Sequence, residues 1–196
     1  MKLSCLRPLA ALLLTLGLAA CGGKASYDVS GTVSNLNNNG LILTNGGEDL
    51  PVAAGQTSFT FKKRIDYGTA YNIDFKHQPD HMTCGIIGGT GTAGHYISIS
   101  AAVSCSQNTY SVGGTISGLT VDSLVLINGN VTTTVAKDAK TFVMAGPVAD
   151  GSTYNVSVSS QPKGLLCVVQ PGTGAGTMGS ANITTVQIAC TPAAAS

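Results

Sequence analysis

At 196 residues, with 10 lysines and arginines against 9 acids and only 10% of positions charged, the chain carries a formal net charge of +1. That balance gives it no electrostatic reason to seek nucleic acid or a strongly anionic surface. Tryptophan is absent and Gly, Thr, Ser, Val and Asn dominate, a composition of strands joined by tight turns that leaves no place for long amphipathic helices.

Lys2 and Arg7 flank the start of an apolar run, Leu9 to Leu18, that falls short of the ~20 residues a membrane-spanning helix needs. Residues 1–20 therefore read as an export signal. They end in Leu18-Ala19-Ala20-Cys21, which resembles the lipobox of bacterial lipoproteins. The resemblance implies that Cys21 receives diacylglycerol and becomes the first residue of the mature protein. Each buried CH₂ contributes about 0.8 kcal/mol, so two or three acyl chains anchor a protein stably without crossing the membrane. The residue after the cysteine is Gly22 rather than aspartate, which by the same resemblance favours the outer membrane if the cell is Gram-negative. Residues 21–26 would be a tether of roughly 20 Å, at about 3.3–3.6 Å per residue. Losing Lys2 and Arg7 lowers the basic residues from 10 to 8 against 9 acids.

From residue 27 the chain is one module written twice. Tyr27-Asp-Val-Ser-Gly31-Thr-Val-Ser-Asn-Leu36 returns as Tyr110-Ser-Val-Gly-Gly114-Thr-Ile-Ser-Gly-Leu119, and the offset of 83 then holds for about sixty residues. It pairs Leu41 with Leu124, Leu43 with Leu126, Val52 with Val135, Phe59 with Phe142, Tyr71 with Tyr154 and Gln78-Pro79 with Gln161-Pro162. What both copies retain is apolar residues at alternating positions with turn residues between, the pattern of half-buried strands. Strands are expected near 27–35, 39–45, 49–54, 57–62, 69–76, 82–88 and 95–105, and again one offset later. Asn45-Gly46 and Asn128-Gly129 read as hairpin turns, because both residue types tolerate positive φ. About seven short strands per copy, with turns every 8 to 12 residues, predict an all-β chain of two antiparallel β-sandwiches: module one over 27–106, module two over 110–191, and a tail at 192–196. The connection Ser106-Gln107-Asn108-Thr109 is too short to let the modules separate far.

Of six cysteines, Cys5 leaves with the signal and Cys21 goes to lipid, leaving Cys84, Cys105, Cys167 and Cys190 in an oxidising compartment. Four cysteines allow three connectivities, and the repeat selects among them: Cys84 matches Cys167, and Cys105 matches Cys190 after a two-residue insertion. Cys84 is expected to pair with Cys105 and Cys167 with Cys190, each closing a loop worth roughly 3 kcal/mol. For a module of about 80 residues, whose core alone is marginal, that matters.

The order of Gly-Thr-Val/Ile-Ser-x-Leu, Asn-Gly, Phe strand, Gly-x-x-Tyr-Asn, Gln-Pro, Cys and a closing strand ending in Cys resembles tandem immunoglobulin-like modules of bacterial surface proteins. Its first half is also similar to transthyretin-like sandwiches. The resemblance implies arrays and spacers of the cell envelope, and specifies fold far better than function.

Candidates for chemistry are few. Gly89-Thr-Gly91-Thr-Ala-Gly94 spells a dinucleotide fingerprint but lacks the following helix and distant acid, so it reads as a glycine-rich β-turn. His77, His81 and His95 all lie in module one, with Asp80 beside two of them; converging, they would offer a metal such as zinc N and O ligands, or sense pH. Module two carries Ser160, Lys163 and Gly164 at the positions of His77, Asp80 and His81, so its fold does without such a site. Lys62-Lys63-Arg64 is the sole basic run, with Val143-Met144-Ala145 in its place in module two; it suits either a guarded strand edge or contact with anionic lipid or polysaccharide. Val143-Met144 suits an exposed apolar edge. Glu48-Asp49 reads as a turn. No Ser, His and Asp fall into a nucleophilic order and no G-x-S-x-G elbow occurs, which argues against a hydrolase. The Asn-x-Ser/Thr sites at Asn130, Asn155 and Asn182 carry no weight in a bacterial lipoprotein.

The expectation is a non-enzymatic, lipid-anchored cell-envelope protein without a cofactor, whose partners are the membrane and a protein or polysaccharide of the envelope, and not nucleic acid. An accessory metal-binding or pH-sensing lipoprotein built on the module-one histidines is the alternative.

Overall fold

A computed structural model describes residues 25–94 and 99–194. The export signal, Cys21 and His95 lie outside them. Among the described residues every regular element is a strand, in keeping with the many β-branched Val, Ile and Thr residues. Module one holds β1 (Ser26–Tyr27), β2 (Ser30–Ser34), β3 (Leu41–Asn45), β4 (Glu48–Val52), β5 (Ser58–Thr60), β6 (Ile65–Asp66), β7 (Ala70–Asn72), β8 (Asp74–His77), β9 (Met82–Ile87), β10 (Thr90–Thr92) and β11 (Ser100–Gln107). Module two holds β12 (Thr109–Tyr110), β13 (Val112–Ser117), β14 (Leu124–Asn128), β15 (Val131–Val135), β16 (Thr141–Val143), β17 (Val148–Ala149), β18 (Thr153–Ser160), β19 (Leu165–Val169), β20 (Ala175–Thr177) and β21 (Ile183–Pro192). The count exceeds seven per module because short pairs, β1 with β6 and β12 with β17, add to the main sheets.

Each module packs two sheets face to face. One runs β5-β2-β11-β9 in module one and β16-β13-β21-β19 in module two; the other is β4-β3-β8 and β15-β14-β18-β20. The registers coincide at the offset: Leu41 faces Val52 and Asn45 faces Glu48, as Leu124 faces Val135 and Asn128 faces Val131. Alternation places Leu41 and Leu43 against Val33, Val103 and Phe59 in one buried cluster. Leu124, Leu126, Ile116, Val186 and Phe142 build the second. Module one thus carries its own core, and so does module two.

The sheets are not wholly antiparallel. β2 lies parallel to β11, and β13 parallel to β21, so the first long strand of each module is paired with the last. Alternation assigns strands to faces but says nothing of which strand lies beside which. At Gly31 in β2 a Cβ would run into the carbonyl of Ala101 and come 2.6 Å from the Phe59 ring. Gly114 meets the same obstruction from Val186. That close approach of first and last strands is why the Gly-Thr-Val/Ile motif opens both copies.

Several expected details shift. Asn45 ends β3 and is buried; the hairpin turn is Gly46-Gly47, with φ of 55° and 83°. Glu48 and Asp49 begin β4 instead of forming the turn. The run Gly89 to Gly94 contains β10, which pairs with β7, and at Gly91 a Cβ would lie 2.6 Å from the Tyr71 phenol oxygen. The glycine is a seat for an aromatic ring. Phe61 and Met144, 2% and 4% exposed, fill the same place in the two cores; the positions matching Lys62-Lys63-Arg64 are therefore Ala145-Gly146-Pro147. Of the supposed apolar edge, Val143 is exposed but Met144 is buried.

Candidate functional site

The cysteines form Cys84–Cys105 and Cys167–Cys190, each joining neighbouring strands of one sheet at directly opposed positions. Beside each disulfide a glutamine side chain clamps the backbone. Gln78 accepts from the Cys84 N–H at 2.7 Å and donates to its carbonyl, and Gln161 does the same at Cys167. Gln-Pro recurs in both copies for this structural reason.

The two described module-one histidines, His77 and His81, bond different partners. His77 Nδ1 lies 2.9 Å from the Gly40 carbonyl. His81 turns to module two, its Nδ1 3.0 Å from Asp150 Oδ1. Asp80 is engaged through its backbone, the N–H donating to the Asn39 carbonyl and its own carbonyl accepting from Asn38. Among the described residues no three of His, Cys, Asp and Glu are grouped to hold a metal ion.

His81 is instead part of a built junction. Its φ is 61°, and the matching Gly164 has 76°, so a histidine holds a left-handed backbone that the second copy gives to glycine. Asp150 is 7% exposed. The Asn108 N–H donates to the His81 carbonyl, the Asp150 N–H to the Asn108 carbonyl, and Gln107 Nε2 to the Asp150 carbonyl. A Cβ on Gly151 would lie 3.2 Å from the His81 ring. Only Asn108 separates β11 from β12; its backbone N–H and carbonyl are both used, and its side-chain oxygen accepts from the Thr83 hydroxyl.

An open cleft of about 430 Å³ lies in module one, where the ends of β3, β6 and β7 meet; Asn45, Lys63, Arg64, Asp66, Thr69 and Tyr71 are among the residues lining it. Its wall is fixed by charge. The Glu48 carboxylate accepts the backbone N–H groups of Lys62 and Lys63 at 2.8 and 2.9 Å. Arg64 donates from Nη2 to the Ser26 carbonyl at 2.7 Å and pairs through Nε with Asp28 at 3.2 Å. Asn45 Oδ1 accepts the Asn72 N–H at 3.0 Å. Asn45 itself lines the cleft, and no buried side-chain nitrogen or oxygen among the described residues is stranded without a partner. Module two keeps the asparagine, Asn128, on the Asn155 N–H. It replaces Glu48 by Val131, beside Gly146, and fixes its own loop by the Ala145 N–H on Thr133 Oγ1.

Of the cleft residues only the basic run stood out in the sequence. Glu48 carried a signal that went unread: a charged residue in one copy facing an apolar one in the other.

No family model matches the sequence, and no curated protein does. Among solved structures, a point mutant of the shaft pilin SpaA from Lactobacillus rhamnosus GG aligns over 88% of this chain and 100% of its own, at 10% identity and a TM-score of 0.26. Likeness at that score carries no argument about arrangement or function.

Proposed function

We propose that the chain is a lipid-anchored cell-envelope protein whose tandem sandwiches serve as a non-enzymatic binding and spacer element, the outer membrane being its favoured site in a Gram-negative cell. The observation that carries this reading is the division between what the two modules share and what they do not. Strand register, disulfide, glutamine clamp and core recur at a fixed offset, while the charged cleft wall and His81 belong to module one alone. A scaffold repeated without its charged groups is a spacer, and the unrepeated groups on it are where recognition belongs. The lipobox ending at Cys21 supports the anchor, and the one-residue connection supports a tandem held in one orientation.

Replacing Cys21 with Ala is the test. The wild type is expected in the membrane fraction, extracted only by detergent, and the variant in the soluble fraction. A variant that stays with the membrane would defeat the anchored reading.

A further inference from the structure

We propose that the module-one cleft binds an acidic saccharide, a sugar unit bearing a carboxylate, at Lys63, Asn45, Asp66 and Tyr71. The proposal rests on the binding role above and names its ligand class. At about 430 Å³ the cleft falls within the ~300–1,000 Å³ of small-ligand sites. Its cation is available: the ion pairs among the described residues are Arg64–Asp28, Lys76–Asp49 and His81–Asp150, so Lys63 has no carboxylate of its own. Glu48 fixes the Lys63 backbone rather than its ammonium, and no ion pair among the described residues engages that charge.

The other lining groups suit a polyol. Asn45 lines the cleft and is 7% exposed; with its carbonyl oxygen fixed by the Asn72 N–H, its NH₂ is the donor that a ligand would use. Exposed Asp66 supplies a carboxylate acceptor. A donor amide and an acceptor carboxylate in one cleft match vicinal hydroxyls, each of which both donates and accepts. Tyr71, half-buried on its glycine seat, offers an apolar ring with a polar tip, the surface against which the C–H face of a pyranose packs. A bare phosphate would use Lys63 and leave the rest idle. Module two has Gly146 where Lys63 stands and Ala149 where Asp66 stands, and should not bind.

Calorimetric titration of the full chain in detergent with trigalacturonate, galactotriose and phosphoethanolamine tests this. Trigalacturonate should bind at least about tenfold more tightly than galactotriose, the usual effect of one charge-assisted hydrogen bond. K63Q should reduce its affinity to that of galactotriose, and D66N should weaken both sugars. Lys63 and Asp66 are exposed, so an unchanged melting curve establishes that each variant is folded. No heat from trigalacturonate, full affinity in K63Q, or tighter binding of phosphoethanolamine would each overturn the proposal. Failure here with Cys21→Ala still released from the membrane would remove the ligand and leave the anchored spacer standing.

Discussion

Removing Cys167–Cys190 by paired substitution to alanine should destabilise module two alone. The cysteines are separated by 23 residues, and the chain-entropy model assigns a loop of that length about 3.4 kcal/mol at 25 °C. A module of roughly 80 residues unfolds with about 0.17 kcal/mol/K of entropy, from ~2.1 cal/mol/K per residue, so its Tm should fall by about 20 °C. Cys167 and Cys190 are 1% and 7% exposed, and lost sulfur packing would add to the drop. Differential scanning calorimetry reads the result directly. Because the two cores are separate clusters, the variant should show two transitions, one displaced and one at the wild-type position. Paired substitution of Cys84 and Cys105, separated by 21 residues, should displace the other transition by a similar amount. A single transition moving as a whole would refute the reasoning, as would a shift below about 5 °C.

Gly31→Ala should cost module one about 1–3 kcal/mol, the range of overpacked cores, because the Ala101 carbonyl and the Phe59 ring leave no room for a Cβ; urea unfolding at the wild-type midpoint would contradict it. His81→Ala should leave the buried Asp150 carboxylate without its imidazole partner and loosen the junction, so that ¹⁵N relaxation gives the modules different tumbling times where the wild type gives one. Identical relaxation in the two proteins would show that Asn108 and Gln107 suffice. The Asp49 carboxyl, held by its hydrogen bond to Lys76, titrates below its ordinary 3.8. The stability it lends is present above the ordinary value and is lost as pH falls through the lowered one. Carboxyl ¹³C titration should show the depression and its disappearance in Lys76→Gln; an unchanged midpoint would assign it to another group.

The scaffold was legible because a repeat is a small alignment. Leu41 and Leu124, or Cys84 and Cys167, identify themselves as structural by recurring, and period-two alternation then places them inward. The parallel pairing of β2 with β11 was not legible, since it joins residues some seventy positions apart and no local pattern encodes a neighbour. Gly31 and Gly114 were its trace, explicable only once a carbonyl is seen against them. His81 misled for a related reason: beside His77 and Asp80 it resembles a ligand, and nothing local reveals that its backbone is left-handed and its ring belongs to the next module. Its match with Gly164 was the available hint. The cleft was half legible, Lys63 from its charge but Asn45 not at all, because an asparagine before glycine looks like a turn until its side chain is found bonded to Asn72.

The proposed lipid anchor at Cys21 and the disulfide within each module are tested together by the intact mass of the protein purified from membranes. The predicted species starts at Cys21, carries the mass of its acyl chains, and gains the mass of four hydrogen atoms when a thiol reductant opens its two disulfides. A chain retaining residues 1–20, or one with an unmodified Cys21, would contradict the account.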